Sequence, residues 1–511
     1  MKNNTSAQEI KALKTKITEL ELIIKHYEEQ FKLLRQRKFG SSSEKSLYDQ
    51  LDLDGNTMCD ELVTTDPETA EEPLSEDLKN YHRAKRTRKD GLPKNLPVEE
   101  VVCDLPEEEK ICPDCNSEPE FMGNDYREEL VVIPAKVMLR KFVMPKYICR
   151  KCGIEPANII EAKAPNPVIK GSLASPESVA YVACQKFVMG VPLYRQEQEW
   201  QRKGVLLSRQ TLANHLIKAS EQWLTPIADE LKRRLLNQTV AHADETIFQV
   251  LKEEHKTPQS KSYLWCYRTS GDTDEPVIFA EYKPDRKHKN PAEFLANFKG
   301  FLHTDGYEAY HKLPSDITVV GCWAHVRRKW DSALKAIASP DRDGTIELQG
   351  KRYCDKMFEI ERSLAHLSAD ERYEQRINVL KPLMDEFFEW ITSVRTTPKS
   401  LLGRAVGYML SQKEYLKNIL LDGRLELSNN RAERTIKPFV ICRKNFMFAN
   451  TVRGAHAAAV IFSLVETAKE TGVDPFEYLC YVFKTAPNTD MTKPENIQML
   501  LPGEFKKLNA L

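Results

Sequence analysis

The sequence predicts a multidomain α+β protein. An N-terminal coiled coil, a cysteine-paired module and a helical, helix-turn-helix-like region precede a mixed α/β core that carries a helical insertion. Three observations carry this reading. A heptad stripe runs through the first 34 residues, two Cys-x-x-Cys pairs lie between 112 and 152, and near Val240 helix-period patterning gives way to strand-forming runs. At 511 residues the chain is too long for one core. We divide it into a coiled-coil segment (1–50), a linker with a basic run (51–95), a zinc-binding module (96–163) and a helical DNA-binding-like region (164–238). An α/β domain (239–470), with its insertion at about 339–421, and a C-terminal helical region (471–511) complete it.

The heptad places Ile10, Ile17, Ile24 and Phe31 on one position and Leu13, Leu20, Tyr27 and Leu34 on the other, with Glu and Lys between. That narrow stripe favours a self-associating coiled coil over an amphipathic helix docked on its own domain. Asp52 to Asp77 is acidic and poor in aromatics, and reads as a disordered linker. The charge then reverses at His82 to Pro93, where Arg86, Arg88 and Lys89 either lie against phosphates or form a solvated tail.

Cys112, Cys115, Cys149 and Cys152 form two Cys-x-x-Cys knuckles, and two thiolates from each of two tight turns suit a closed tetrahedral Zn²⁺ site. The strand-like run "ELVVIPAKVMLRKFVMPKYICR" is expected to form a hairpin that returns the second knuckle to the first. Further on, Gly204 marks a turn, Ser208 an N-cap, and Leu212, Leu216 and Ile217 an inner helix face. Arg209, Gln210, Asn214 and Lys218 then point outward, as base- or phosphate-reading residues do; a plain helical hairpin has the same pattern.

Lys+Arg and Asp+Glu are equal at 75 each, which excludes a simple polycation but not local basic surfaces. There is no apolar run of 18 residues and the first residues are polar, so neither a membrane span nor a secretory signal is expected. Most of the 12 cysteines are solitary in apolar contexts, such as Cys184, Cys266 and Cys480. That usage fits reduced thiols in a cytoplasmic protein with no membrane partner.

From Val240 we read "TVAHADETIFQVL", "SKSYLWCYRTS" and "PVIFAEY" as consecutive strands. A helix ("NPAEFLANF"), a strand, a helix and a strand follow, with "KGFLHTDGYEAY" and "ITVVGCWAHVRRKW" in strand texture. Asp244 and Glu245 stand in mid-strand, where an unpaired buried carboxylate costs several kcal/mol. Asp305 ends an apolar strand and, beside Asp244, makes a like-charged pair that a divalent cation relieves. Glu433 lies on a helix among Arg431, Arg434 and Lys437, and two strand aspartates with a helical glutamate suit two-metal phosphodiester chemistry. Glu245, pointing to the other face or leaving the sheet with Thr246, has no part in it. Near the end, Asp474 and Pro475 start a helix.

These stretches, with "TDGYEAY", "CWAHVRRKW", "NNRAERTIKPFVICRKNFMFA", "FGSSSEK" and "PLYRQE", resemble the insertion-sequence-66 family of transposases over almost the whole chain. The resemblance implies an RNase H-like α/β catalytic core with a helical insertion before the glutamate. It implies a catalytic, magnesium-binding (or Mn²⁺-binding) triad of Asp244, Asp305 and Glu433, with His325, Arg328 and Asn430 as neighbours. The implied activity is DNA strand cleavage and transfer at the ends of an insertion sequence. Its partners would be end and target DNA, a second copy through the coiled coil, and small accessory proteins of the same element. The alternatives are a structure-specific nuclease on the same fold and a zinc-containing DNA-binding repressor.

Overall fold

The computed structural model describes Lys16, Ile17, Leu20 and Ile24, residues 135–148 and residues 159–509. Lys16, Ile17, Leu20 and Ile24 are helical and exposed. The rest of the heptad, the linker, Arg86, Arg88 and Lys89, and all four knuckle cysteines (Cys112, Cys115, Cys149, Cys152) lie outside the described residues. Residues 135–143 fall in a separate compact unit and have no regular secondary structure. Among the described residues of this region, β1 (Lys146–Ile148) and β2 (Ile159–Glu161) are the strands that pair, antiparallel. They flank the stretch that holds Cys149 and Cys152.

The helical region holds α1 (Pro176–Phe187), α2 (Leu193–Arg202), α3 (Arg209–Ala219) and α4 (Thr225–Leu236). Gly204 takes φ +78 at the α2–α3 turn, where a left-handed backbone suits glycine. The Ser208 hydroxyl accepts the Thr211 backbone N–H and caps α3. Leu212, Leu216 and Ala219 are buried; Ile217 is only half-buried, so Ala219 completes the inner face expected of it. One π turn, Ser220–Leu224, carries α3 directly into α4.

The sheet follows. It comprises β3 (Val240–Ile247), β5 (Tyr263–Thr269), β6 (Ile278–Lys283), β7 (Gly300–His303) and β8 (Ile317–Val320), in the order β6-β5-β3-β7-β8. β5 runs antiparallel to β3 and β6, whereas β7 and β8 run parallel to β3. The long first run is not one strand: it breaks after Ile247, and β4 (Val250–Lys252) leaves to pair elsewhere. α5 (Lys289–Phe294) precedes β7. Between β7 and β8 the expected helix is a single 3₁₀ turn, Tyr310–Lys312. The strand texture of "ITVVGCWAHVRRKW" ends at Val320, and Trp323–Lys335 is helix α6.

A second hydrophobic core begins here. α6 packs with α7 (Ile346–Leu364), α9 (Lys381–Ser393), α10 (Leu401–Ser411) and α11 (Lys413–Lys417) around Trp323, Trp330, Tyr353 and Phe387, while α8 (Ala369–Gln375) buries no residue in it. It reaches from Val320 to Leu427, so the helical layer starts well before residue 339. The chain then returns to the sheet as α12 (Asn430–Phe446), β9 (Ala449–Thr451) and α13 (Val452–Glu470). β9 pairs with β4, and α12 lies across β3 and β5. On α13 small residues allow close approach to edge strand β6, where the Ser463 and Thr467 hydroxyls accept backbone N–H groups of Ala280 and Ile278 at 2.8 and 3.0 Å. The sheet edge is thereby covered. α14 (Pro475–Thr485), capped by Asp474 as expected, α15 (Pro494–Met499) and α16 (Pro502–Asn509) close the chain. The described cysteines are free thiols, and no described helix is long and apolar enough to cross a membrane.

Candidate active site

Strand register sets the level of the two aspartates. His242 of β3 faces His303 of β7, their rings stacked at 4.4 Å and 13°. Two residues further along each parallel chain come Asp244 and Asp305. Asp244 is half-buried and its Oδ1 accepts the Glu245 backbone N–H at 2.9 Å. Asp305 is also half-buried, past the end of β7, with Oδ1 accepting the Tyr307 N–H at 2.9 Å in a tight turn.

Glu433 enters from the first turn of α12, where the helix N-terminus favours an acid. Its side chain is 4% exposed. Burial, followed by the charges of Glu245, Glu433 and Asp305, pushes Asp244 well above the usual carboxylate range. Burial also raises Glu433, Arg328 opposes the rise, and Asp305 reinforces it. The structure thus brings Asp244, Asp305 and Glu433 within electrostatic reach of one another.

Their neighbours come from α6, which begins two residues after β8. Arg328 donates from Nη2 to Glu433 Oε2 at 3.2 Å, and His325 Nδ1 lies 3.6 Å from Oε1. Burial, then Arg328 and Lys329, hold His325 well below its ordinary value, so it is neutral. Cys322 joins this group: its sulfur, a His325 nitrogen and a Glu433 oxygen lie within 4.8 Å of one another. Asn430 is buried at the first position of α12.

Several groups escaped the sequence reading. Asn429 ties α12 to the sheet: its Nδ2 donates to Ala243 O at 2.9 Å and its Oδ1 meets His242 Nδ1 at 3.0 Å. The only hint was the doubled asparagine. Glu245 does point to the opposite face, but it stays buried there. Arg286 Nε donates to its Oε1 at 2.6 Å, and the Tyr310 hydroxyl donates to Oε2. Burial still pushes Glu245 up to about 7, against the pull of Arg286. Arg286 also lies 3.9 Å from Asp305 Oδ2. No local motif marks Arg286, and Tyr310 closes the stretch "TDGYEAY" without a role having been assigned to it.

The face opposite Glu245 therefore gathers Asp244, Asp305 and Glu433, with Arg328 on Glu433 and Arg286 near Asp305. Glu433 Oε1 is buried with no hydrogen-bond partner among the described residues. Hard carboxylate oxygens with uncompensated charge fit a divalent cation. Elsewhere, Arg209, Gln210 and Asn214 sit on the exposed side of α3. Arg209 lies 5.8 Å from the Tyr194 ring centroid, and Gln210 donates to Asn214 at 3.4 Å.

Acids gathered at the ends of parallel strands, and a helix with an exposed polar face, are consistent with a DNA-acting protein of the transposase class. Residues 171–457 match the model of the Transposase IS66 family, and the chain belongs to that family. Residues 26–101 match a model described as Transposase C of IS166 homeodomain. Residues 109–153 match the zinc-finger binding domain of transposase IS66, and 463–502 the IS66 C-terminal element. Similar proteins include two uncharacterized proteins of Sinorhizobium fredii. One, y4hP, is 30% identical over 502 residues, covering 93% of this chain and 88% of that protein. The other, y4qI, is 32% identical over 444 residues, covering 83% and 78%.

Proposed function

We propose that the chain cleaves DNA at the ends of its insertion sequence and joins the freed 3′ ends to target DNA, with Asp244, Asp305 and Glu433 as the catalytic triad of an RNase H-like core. The observation that carries this reading is the convergence of those three carboxylates, each from a different element, with no cation among the described residues paired with Asp244. The five-stranded order, three strands antiparallel and two parallel, supports the RNase H-like assignment. Asp244, Asp305 and Glu433 would hold Mg²⁺ or Mn²⁺. When bound, two such ions supply charge stabilisation at the attacking and leaving oxygens of an in-line displacement. Arg328 orients Glu433 through its hydrogen bond, and neutral His325 lies where it can accept or donate a proton beside that carboxylate. Arg286 fixes the position of Asp305 from the opposite side. Cys112, Cys115, Cys149 and Cys152 would hold structural Zn²⁺, while Arg86, Arg88, Lys89 and the outer face of α3 contact DNA. The heptad would pair two copies, as a reaction on two element ends requires, in the cytoplasm.

The test is a nicking and strand-transfer assay with full-length protein on a duplex carrying the DNA that borders its gene. Cleavage is expected with Mg²⁺ or Mn²⁺, and none with the Asp244→Asn protein, which still binds the duplex. Binding without cleavage by the wild type in either metal would sink the reading in favour of a DNA-binding repressor.

A further inference from the structure

The helical layer reaches into the cleft at one place. Tyr408, on α10, lies directly against Gly306, the residue after Asp305. A Cβ built at 306 would come within 2.7 Å of both the Tyr408 hydroxyl and its Cε2. Only glycine admits the ring there. Lys329, the residue after Arg328 on α6, holds its ammonium 4.7 Å over the same ring. Two helices of the second core thus converge on the carboxylates, one through Arg328 and Lys329, the other through Tyr408.

Burial, and then the charges of Asp305 and of other groups at the site, keeps the Tyr408 hydroxyl protonated and therefore a donor. Tyr408 is only half-buried. One ring face carries the Lys329 ammonium and one edge is closed by Gly306. What the residue offers is its hydroxyl rather than a bare face for base stacking. A phenolic donor and an ammonium side by side, at the border of an acidic cleft, are chemically matched to a phosphate oxygen.

We propose that Tyr408 and Lys329 form a phosphate-binding edge that seats the DNA backbone next to the reacting phosphodiester, so that the helical insertion supplies substrate contacts and is not merely a spacer. This rests on the reading of the site as a DNA-cleaving centre. The two groups act on the strand already in the cleft, and their loss affects the rate of cleavage more than the affinity for the duplex, which many other phosphate contacts maintain.

The experiment uses the full-length protein and the bordering-DNA duplex. Single methylphosphonate linkages, which are uncharged, replace in turn each phosphate within three of the cleaved bond. Tyr408→Phe removes the hydroxyl and keeps the ring, and Lys329→Gln removes the charge. Each variant is expected to cleave roughly ten-fold more slowly or worse, as loss of a hydrogen bond to a charged group implies, at an unchanged melting temperature. At one linkage, neutralising the phosphate should slow the wild type yet add nothing to either variant. Wild-type cleavage by both variants, or phosphonate and variant effects that multiply at every linkage, would overturn the proposal. Failure of the underlying reading shows separately, as cleavage by Asp244→Asn.

Discussion

Asp244 and Glu245 are adjacent, both acidic, and on opposite faces of the same strand, and the two faces treat them differently. Glu245 is met by the protein itself: a guanidinium on one oxygen and a phenol on the other. Around it lie Trp265, which makes an edge contact with Tyr310 at 5.9 Å, and Tyr267, stacked on Phe294 at 3.7 Å. Asp244 is met by more acid and one backbone N–H. The difference separates a structural carboxylate from one kept for something outside the chain. A fold that can neutralise a buried acid with Arg286 on one face, and leaves its neighbour among like charges on the other, holds that neighbour in a state a ligand must complete.

The sharpest way to break this contrast is to remove the acids of the open face. Asp244→Asn, Asp305→Asn and Glu433→Gln are each expected to lower DNA cleavage on the order of a thousand-fold or more, because a preorganised charge at the reacting centre is lost. The same Asp244→Asn protein should be no less stable than wild type without metal, since like-charge repulsion is relieved. Loss of cleavage together with loss of folding would mean that Asp244 is structural after all.

The closed face should respond in the opposite way. Arg286→Met leaves Glu245 buried without its cation, and destabilisation of about 3–5 kcal/mol is expected in urea titrations. Adding Glu245→Gln should recover most of it, because the stranded charge is gone. If the double variant is as unstable as the single one, Arg286 acts through its contact with the Tyr307 ring, 3.8 Å away, rather than through charge.

A third measurement asks what completes the open face. At a hundred times its dissociation constant, Mg²⁺ should stabilise the native protein by about 2.7 kcal/mol. The gain should vanish in Asp244→Asn and persist in Glu245→Gln. An equal gain in all three proteins would place the ion elsewhere.

How much of this was legible beforehand follows from where each signal resides. Asp244 and Asp305 could be found because strand-forming runs contain few reasons to carry acid. Gly204 and Ser208 announced the α2–α3 turn through local backbone chemistry. The end of β8 was missed because only Gly321 and Cys322 separate the strand from α6, and the apolar Trp323, Ala324 and Val326 prolong the strand texture. Arg286 was invisible because it acts across the fold from a loop, and the role of Tyr310, although it closes "TDGYEAY", was missed because its partner Glu245 lies 65 residues away. Tyr408 was hidden for the same reason: it meets Gly306 only once the second core has folded. The knuckles and all of the heptad except Ile17, Leu20 and Ile24, readable in sequence, lie outside the described residues.

The smallest expected effect concerns the joint between the faces and α12. Asn429 and Asn430 stand side by side in sequence, and the Asn429 side chain reaches both His242 and the β3 backbone. That use of the side chain explains why α12 starts without a side-chain N-cap bond. His242 is held neutral by burial, down to about 3, so its Nδ1 contact is a neutral hydrogen bond and of modest strength. Asn429→Ala removes both bonds and leaves Ala243 O and His242 Nδ1 buried, at an expected cost of about 1–3 kcal/mol. The catalytic consequence should exceed the stability loss, because Glu433 rides on the same helix four residues on. Mg²⁺ affinity is the discriminating readout. A weakened Mg²⁺ response in Asn429→Ala, restored in part by Asn429→Gln, identifies the residue as the one that sets Glu433 against the strand aspartates. An unchanged response would mean that the packing of Ile436 and Val440 against Cys266 and Ile278 positions the helix by itself.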